Sequence, residues 1–149
     1  MGALGEKQVI GTAHFRDNFA DCFKEVVNKK RPITIGLRSK NTETATLLST
    51  DLLISLLNNV PCHSSVYWDE GTNQFVAHVQ ELNGDGVGDT AEEAVEMALD
   101  NIEGIIEHFF KNAYVYLNFP KYQELLPLYM RLHLAQDRKE TAKILGFIQ

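Results

Sequence analysis

The chain has 149 residues, 44% of them hydrophobic, and a formal net charge of −6. That is enough for one ordinary domain or two small ones with a buried core. No apolar run reaches the length of a membrane span, Met1 to Gln8 lacks the apolar stretch of a secretory signal, and Cys22 and Cys62 have no framework spacing, so a cytoplasmic, membrane-free protein with free thiols is expected.

The net charge hides an asymmetry. Residues 1–60 hold eight bases against six acids, a balance of +2, which leaves −8 for residues 61–149. A basic front and an acidic back suggest two different partners, although solvated faces would give the same count.

Val9–Ile10 can form a short strand, and Thr12 is placed to cap the helix that follows. Phe15, Phe19, Cys22, Phe23 and Val26 recur at three- and four-residue spacing, so they mark one helical face; Arg16 and Lys24 lie on the other. Pro32 stops that helix. Ile33 to Leu37 alternates like a half-buried strand, Arg38 to Thr42 reads as a turn with two bases, and Thr44 to Leu48 is the return strand. Ser49 or Thr50 can cap a helix over 51–57, with Leu52, Leu53, Leu56 and Leu57 as its stripe. So much apolar surface on a unit this small argues for a homodimer.

The pattern Thr12-Ala13-x-Phe15-Arg16-x-Asn18-Phe19, then Pro32-Ile33-x-Ile35-x-x-Arg38, then Ala45-x-Leu47-Leu48-Ser49 resembles the Phd/YefM class of bacterial antitoxins. The resemblance implies a symmetric dimer that binds operator DNA. Arginines at the helix start and the strand–turn junction would touch the DNA, here Arg16 and Arg38, with Lys40 and Lys24 beside them. The turn departs from the family pattern, with Ser39-Lys40-Asn41 where a glycine usually follows the arginine.

Val60-Pro61 reads as a linker. Ser65 to Asp69 and Phe75 to Leu82 are predicted strands around the turn Glu70–Asn73, with Phe75, Ala77 and Val79 on one face. Asn83 to Gly88 is a second turn leading to a very short strand. Thr90 and Glu93 make a capping box for a long helix. Its apolar stripe is Ala91, Val95, Ala98, Ile102, Ile105, Ile106 and Phe109; its outer face carries Glu92, Glu96, Asp100, Glu103 and Glu107. Trp68-Asp69, Phe75-Val76-Ala77, Glu81-Leu82-Asn83-Gly84 and Gly88-Asp89-Thr90-Ala91-Glu92-Glu93-Ala94 together resemble the HicB-type antitoxin domain, which implies toxin blocking without nuclease activity.

Ala113 to Phe119 reads either as a strand or as an irregular connector. Pro120 suits the first position of a helix carrying Tyr122, Leu125, Leu126, Tyr129, Met130 and Leu132, and a last helix over 136–144 is closed by Gly146. This tail either packs on the back domain or grips a partner.

Sharper chemistry finds little support. The glycine-rich turn 83–89 fails the calcium-loop template, because Val87 and Ala94 fall where ligands belong. No phosphate-loop motif is present. His14, His63, His78, His108 and His133 are scattered, and Cys22 sits on an apolar stripe with no oriented base. His14 could touch phosphate or be an ordinary surface residue.

The expectation is therefore an α+β protein: a dimerising, DNA-binding unit over 1–60, a HicB-like antiparallel sheet with a long helix over 61–112, and a helical extension over 113–149. It is expected to be a non-enzymatic antitoxin without cofactor, metal or catalytic residue. Its partners would be a small, basic, RNA-cleaving toxin and operator DNA. Glu92, Glu96, Glu103, Tyr122 and Tyr129 are the candidate toxin contacts. The runner-up is a stand-alone dimeric transcriptional regulator whose back half senses a ligand or oligomerises.

Overall fold

The computed structural model describes residues 9–37 and 43–149. The chain divides into two compact units, Met1–Leu56 and Leu57–Gln149. Each is a small sheet with helices, so the fold is α+β, with seven helices among the described residues.

The first unit runs β1 (Val9–Gly11), α1 (Thr12–Asp17), α2 (Phe19–Lys29), β2 (Ile33–Gly36), β3 (Thr44–Leu47) and α3 (Thr50–Leu56). Strand β2 is central, parallel to β1 and antiparallel to β3. Its Thr34 and Gly36 are buried. The Thr34 hydroxyl shares a 3.1 Å hydrogen bond with that of Thr46, which removes the cost of burying it. A Cβ on Gly36 would come within 2.8 Å of the Val9 side chain, so glycine lets β1 pair closely.

Two local expectations are corrected here. The first helix is not continuous: it breaks at Asn18 (φ −121°, ψ 27°), whose side-chain amide turns back to donate to the His14 carbonyl at 3.0 Å. Asparagine offers the backbone this alternative to a helical bond. Thr12 is the first helical residue rather than the cap; Gly11 takes that place, with no side-chain cap bond. At the far end Lys30 is left-handed (φ 56°), which turns the chain out of α2 before Pro32. The cap of α3 is Ser49, whose hydroxyl accepts the Leu52 amide at 3.1 Å.

The second unit runs β4 (Ser64–Asp69), β5 (Gln74–Val79), β6 (Gly86–Gly88), α4 (Ala91–Lys111), α5 (Ala113–Tyr116), α6 (Pro120–His133) and α7 (Arg138–Leu145). The three strands are antiparallel in the order β4-β5-β6. The Asp69 carboxylate holds the β4–β5 turn by accepting from the Gly71 amide (3.2 Å) and the Thr72 hydroxyl (2.7 Å). These bonds favour its charged form and keep its pKa below the usual carboxylate value.

Helix α4 organises this unit. Thr90 and Glu93 form the complete capping box at its start. Its Ala94 and Ala98 lie on the sheet against Ala77, at a distance only Gly86 and Gly88 permit. Farther along, Leu99, Ile102, Ile106 and Phe109 join Val79, Leu82, Leu128, Tyr129, Leu132, Ala142 and Leu145 in one core. The buried face therefore includes Ala94 and Leu99, outside the predicted stripe. Because α4 packs on the sheet and also on α6 and α7, it buries more than one stripe. The last two helices thus complete the core of this unit. Ala113 to Tyr116 is a short helix, neither strand nor irregular connector, and the last helix begins at Arg138, capped by Asp137.

Candidate functional site

In the first unit Arg16 is exposed and pairs with Asp17 at 2.9 Å. Lys24 is exposed and enters no ion pair among the described residues. Arg38 and Lys40 lie outside the described residues. The other bases are partly compensated: Lys29 and Arg31 approach Glu25 at 3.5 and 3.6 Å, and Lys30 meets Asp51 at 3.1 Å. The phenylalanine stripe is largely exposed, with Phe19 at 52% and Phe23 at 47%, while only Val26 of that stripe is buried. Phe15 meets Phe19 edge-on at 5.4 Å, and Phe19 lies tilted against Phe23 at 5.9 Å. A monomer gains nothing from holding such rings in water.

The second unit carries a cleft of about 450 Å³ between α4, α5 and α6. Its wall is an aromatic cluster built on Phe109. Tyr129 meets Phe109 edge-on at 4.7 Å, Tyr116 stacks on it at 5.8 Å, and Tyr122 lies 4.8 Å from Tyr116. The His108 imidazole and the Tyr116 hydroxyl hydrogen-bond at 2.8 Å. Glu81, Asn83, Asn101 and Lys121 give the cleft its polar lining. Tyr122 is half-buried on this cleft. Tyr129 lines the cleft too but is 5% exposed and packs into the core, and burial, with Tyr122 and Tyr116 nearby, pushes its hydroxyl pKa up. The sequence stripe could not separate wall from core, because both fall on one side of α6. Tyr116, His108 and Lys121 also line the cleft without having been singled out: Tyr116 sits on a four-residue helix with no periodicity to read, and His108 and Lys121 stand on α4 and α6 off the apolar stripes.

Beside the cleft, Glu81 accepts the His63 amide at 2.9 Å and also meets the His63 ring. Burial opposes its charge, yet these bonds outweigh that and hold its pKa below the usual value. Neighbouring Cys62 is half-buried, and burial together with Glu81 pushes its thiol up to about 12. A protonated thiol is a poor nucleophile. Among the described residues no three His, Cys, Asp or Glu side chains converge as a metal site.

The acidic face of α4 is not free. Arg138, at the start of α7, donates to Glu96 at 2.7 Å, to Glu103 at 2.9 and 3.2 Å, and to Asp100. These bonds, those to Glu103 and Asp100 foremost, hold the guanidinium even more firmly protonated than usual. Farther along, Lys111 pairs with Glu107 at 2.6 Å. Of the predicted contacts, Glu96 and Glu103 therefore share one cation from α7, while Glu92 is exposed in the first turn of α4.

No helix among the described residues is long and apolar enough to cross a membrane. The family model of the PHD-like antitoxins, described as antitoxin of toxin-antitoxin, RelE/RelB, TA system, matches residues 7–146. No curated protein matches the chain. A crystal structure described as an antitoxin part of a candidate toxin/antitoxin system, from Syntrophomonas wolfei subsp. wolfei, shares the fold with a TM-score of 0.72. It is 16% identical, and the match covers 95% of this chain and 96% of that one. This chain belongs to the PHD-like antitoxin family, whose members are non-enzymatic regulatory proteins that act on a cognate toxin.

Proposed function

Proceeding from that membership, we propose that the chain neutralises a small, basic, RNA-cleaving toxin by direct binding through its second unit, and represses its own operon through its first. The observation that carries this division of labour is the charge split, +2 over residues 1–60 and −8 over the rest, laid on two separate compact units. The first unit is read as Phd/YefM-like: two copies would cover Phe19 and Phe23 and present Arg16, Lys24, Arg38 and Lys40 as paired basic edges to a two-fold operator. The second is read as HicB-like, with three antiparallel strands followed by the capped helix α4. Its toxin contacts would be Glu92, Glu96 and Glu103 on the acidic face and Tyr122 and Tyr129 at the cleft. Neutralisation would be occlusion of the toxin's active site.

The test is an affinity pull-down of the tagged chain from its own cells at modest salt, read by intact-mass spectrometry. A stoichiometric small basic protein supports the reading. Retardation of the chain's own upstream DNA, lost in Arg16→Ala/Arg38→Ala, supports the repressor half. DNA binding with no protein partner would favour the stand-alone regulator instead, for which the 450 Å³ cleft offers a ligand site. Neither partner nor DNA would refute both.

A further inference from the structure

We propose that β4 is a self-association strand, pairing antiparallel with β4 of a second copy to join the two small sheets into one of six strands. Among the described residues β4 is the edge of its sheet. It carries three consecutive large apolar side chains in water: Val66 at 39%, Tyr67 at 49% and Trp68 at 48% exposure. Val66 and Trp68 lie on the face that carries Ala77 and Phe75, and Tyr67 on the face of Val76. Helix α4 packs mainly on β5 and β6 and only lightly on β4, so among the described residues the side chains of β4 are left partly exposed on both faces.

Among the described residues no backbone hydrogen bond is made on the outer side of β4. The Gln80 amide donates to the His63 carbonyl at 2.8 Å. With Ser64 opposite Val79, this parity turns the odd-numbered residues toward β5 and the N–H and C=O groups of Ser64, Val66 and Trp68 outward. Exposed edges of this kind are normally blunted by lysine, proline or a bulge. Ser64-Ser65-Val66-Tyr67-Trp68-Asp69 has none of these, and its one charge, Asp69, is engaged within its own turn.

The sequence of β4 selects a copy of itself as the occupant. Two antiparallel copies related by a two-fold axis can be centred on Val66 or on Tyr67. Centring on Val66 sets Tyr67 against Ser65 and Trp68 against Ser64. Centring on Tyr67 sets Tyr67 against Tyr67, Val66 against Trp68 twice, and Ser65 against Asp69. Only the second register gives every large apolar residue an apolar partner, with no like charges opposed. It also pairs Val66 with Trp68, whose backbone groups face outward, so each such pair exchanges two hydrogen bonds. Strands about 4.8 Å apart place the two α4 helices roughly 20 Å from each other. That is beyond the Debye length of about 8 Å, so their acidic faces scarcely repel. Chains that also pair through the first unit would then assemble beyond a dimer.

The test is register-specific cross-linking in the full chain with both native cysteines changed to alanine. Tyr67→Cys would face its own copy within disulfide range and should form covalent dimer under mild oxidation at least ten times more completely than Val66→Cys. Equal yields, a higher yield from Val66→Cys, or yields no greater than that of an exposed control such as Ser55→Cys would overturn the proposal. Sedimentation of the otherwise native chain is the second readout. Tyr67→Lys should halve the mass of the assembly while circular dichroism stays unchanged; equal masses, as expected if β4 instead receives a toxin, would overturn it too.

Discussion

Gly86 sets how closely α4 can lie on the sheet, and its replacement by alanine is the sharpest test of this packing. A Cβ at Gly86 would sit 2.0 Å from the Ala94 carbonyl oxygen, 2.3 Å from the Ala98 nitrogen and 3.0 Å from the Ala98 Cα. All three are helix backbone, so no rotamer change relieves the clash; α4 and β6 must separate. Its φ is not in the left-handed region, so the cost is steric rather than conformational. Overpacking of a tight interior costs typically 1–3 kcal/mol, and rigid neighbours put Gly86→Ala near ~3 kcal/mol. For a unit of this size that is a fall in Tm of about 12–24 °C. Gly104 is the internal control. It lies within α4, and a Cβ there meets nothing within 4 Å, so Gly104→Ala should gain roughly 0.5–1 kcal/mol from helix propensity. Urea unfolding followed by circular dichroism separates the two. A Gly86→Ala midpoint matching that of the native chain would refute this account of the sheet–helix contact.

Thr90→Ala and Asp137→Ala each remove the side chain that accepts the third amide of a helix. Each should lower stability by about 1 kcal/mol in the same assay. Glu81 has a depressed pKa in the folded state, so the unfolded chain binds its proton first as pH falls. Its contribution is therefore full above the ordinary value of 4.5 and is lost as pH drops below it through the folded pKa. Accordingly Glu81→Gln should flatten the loss of stability on acidification that the native chain shows in denaturant midpoints taken across that range. Arg138 is partly exposed, so Arg138→Gln should cost only about 1 kcal/mol despite three carboxylate partners, and the difference should vanish in 1 M salt.

Much of the second unit was legible because its signals are local. Thr90 and Glu93 sit at capping-box spacing, Pro120 opens a helix and Gly146 closes one, and each does so in the structure. What the sequence hid is non-local. Asn18 breaks the first helix although the phenylalanine spacing runs straight through it, since periodicity counts positions and not backbone angles. Gly86 and Gly88 read as turn glycines; their role in admitting α4 depends on residues up to twelve positions away. Ala113 to Tyr116 is too short to show a period, so it gave no helical signal.

The candidate site was harder to read for a related reason: charge and aromatic stripes describe one element, whereas accessibility is set by its neighbours. Five acids on one face of α4 suggested an open negative surface, yet Arg138 reaches three of them across 35 to 42 positions of chain. Three carboxylates and one guanidinium still sum to a negative patch, but an ordered one, in which Glu96 and Glu103 are held in fixed positions. A basic toxin docking there would compete with Arg138 for acceptors or share them. This yields a prediction separable from stability. If the face is the docking surface, Arg138→Gln should tighten binding of a basic partner and speed its association at low salt, since the patch becomes more negative by one charge. If Tyr122 and the cleft carry the interaction instead, Arg138→Gln leaves the affinity unchanged and Tyr122→Ala weakens it. Titration of the purified pair by calorimetry, with both variants at two salt concentrations, distinguishes the two. Loss of affinity in Arg138→Gln alone would refute both assignments, because it would make the arginine itself the contact.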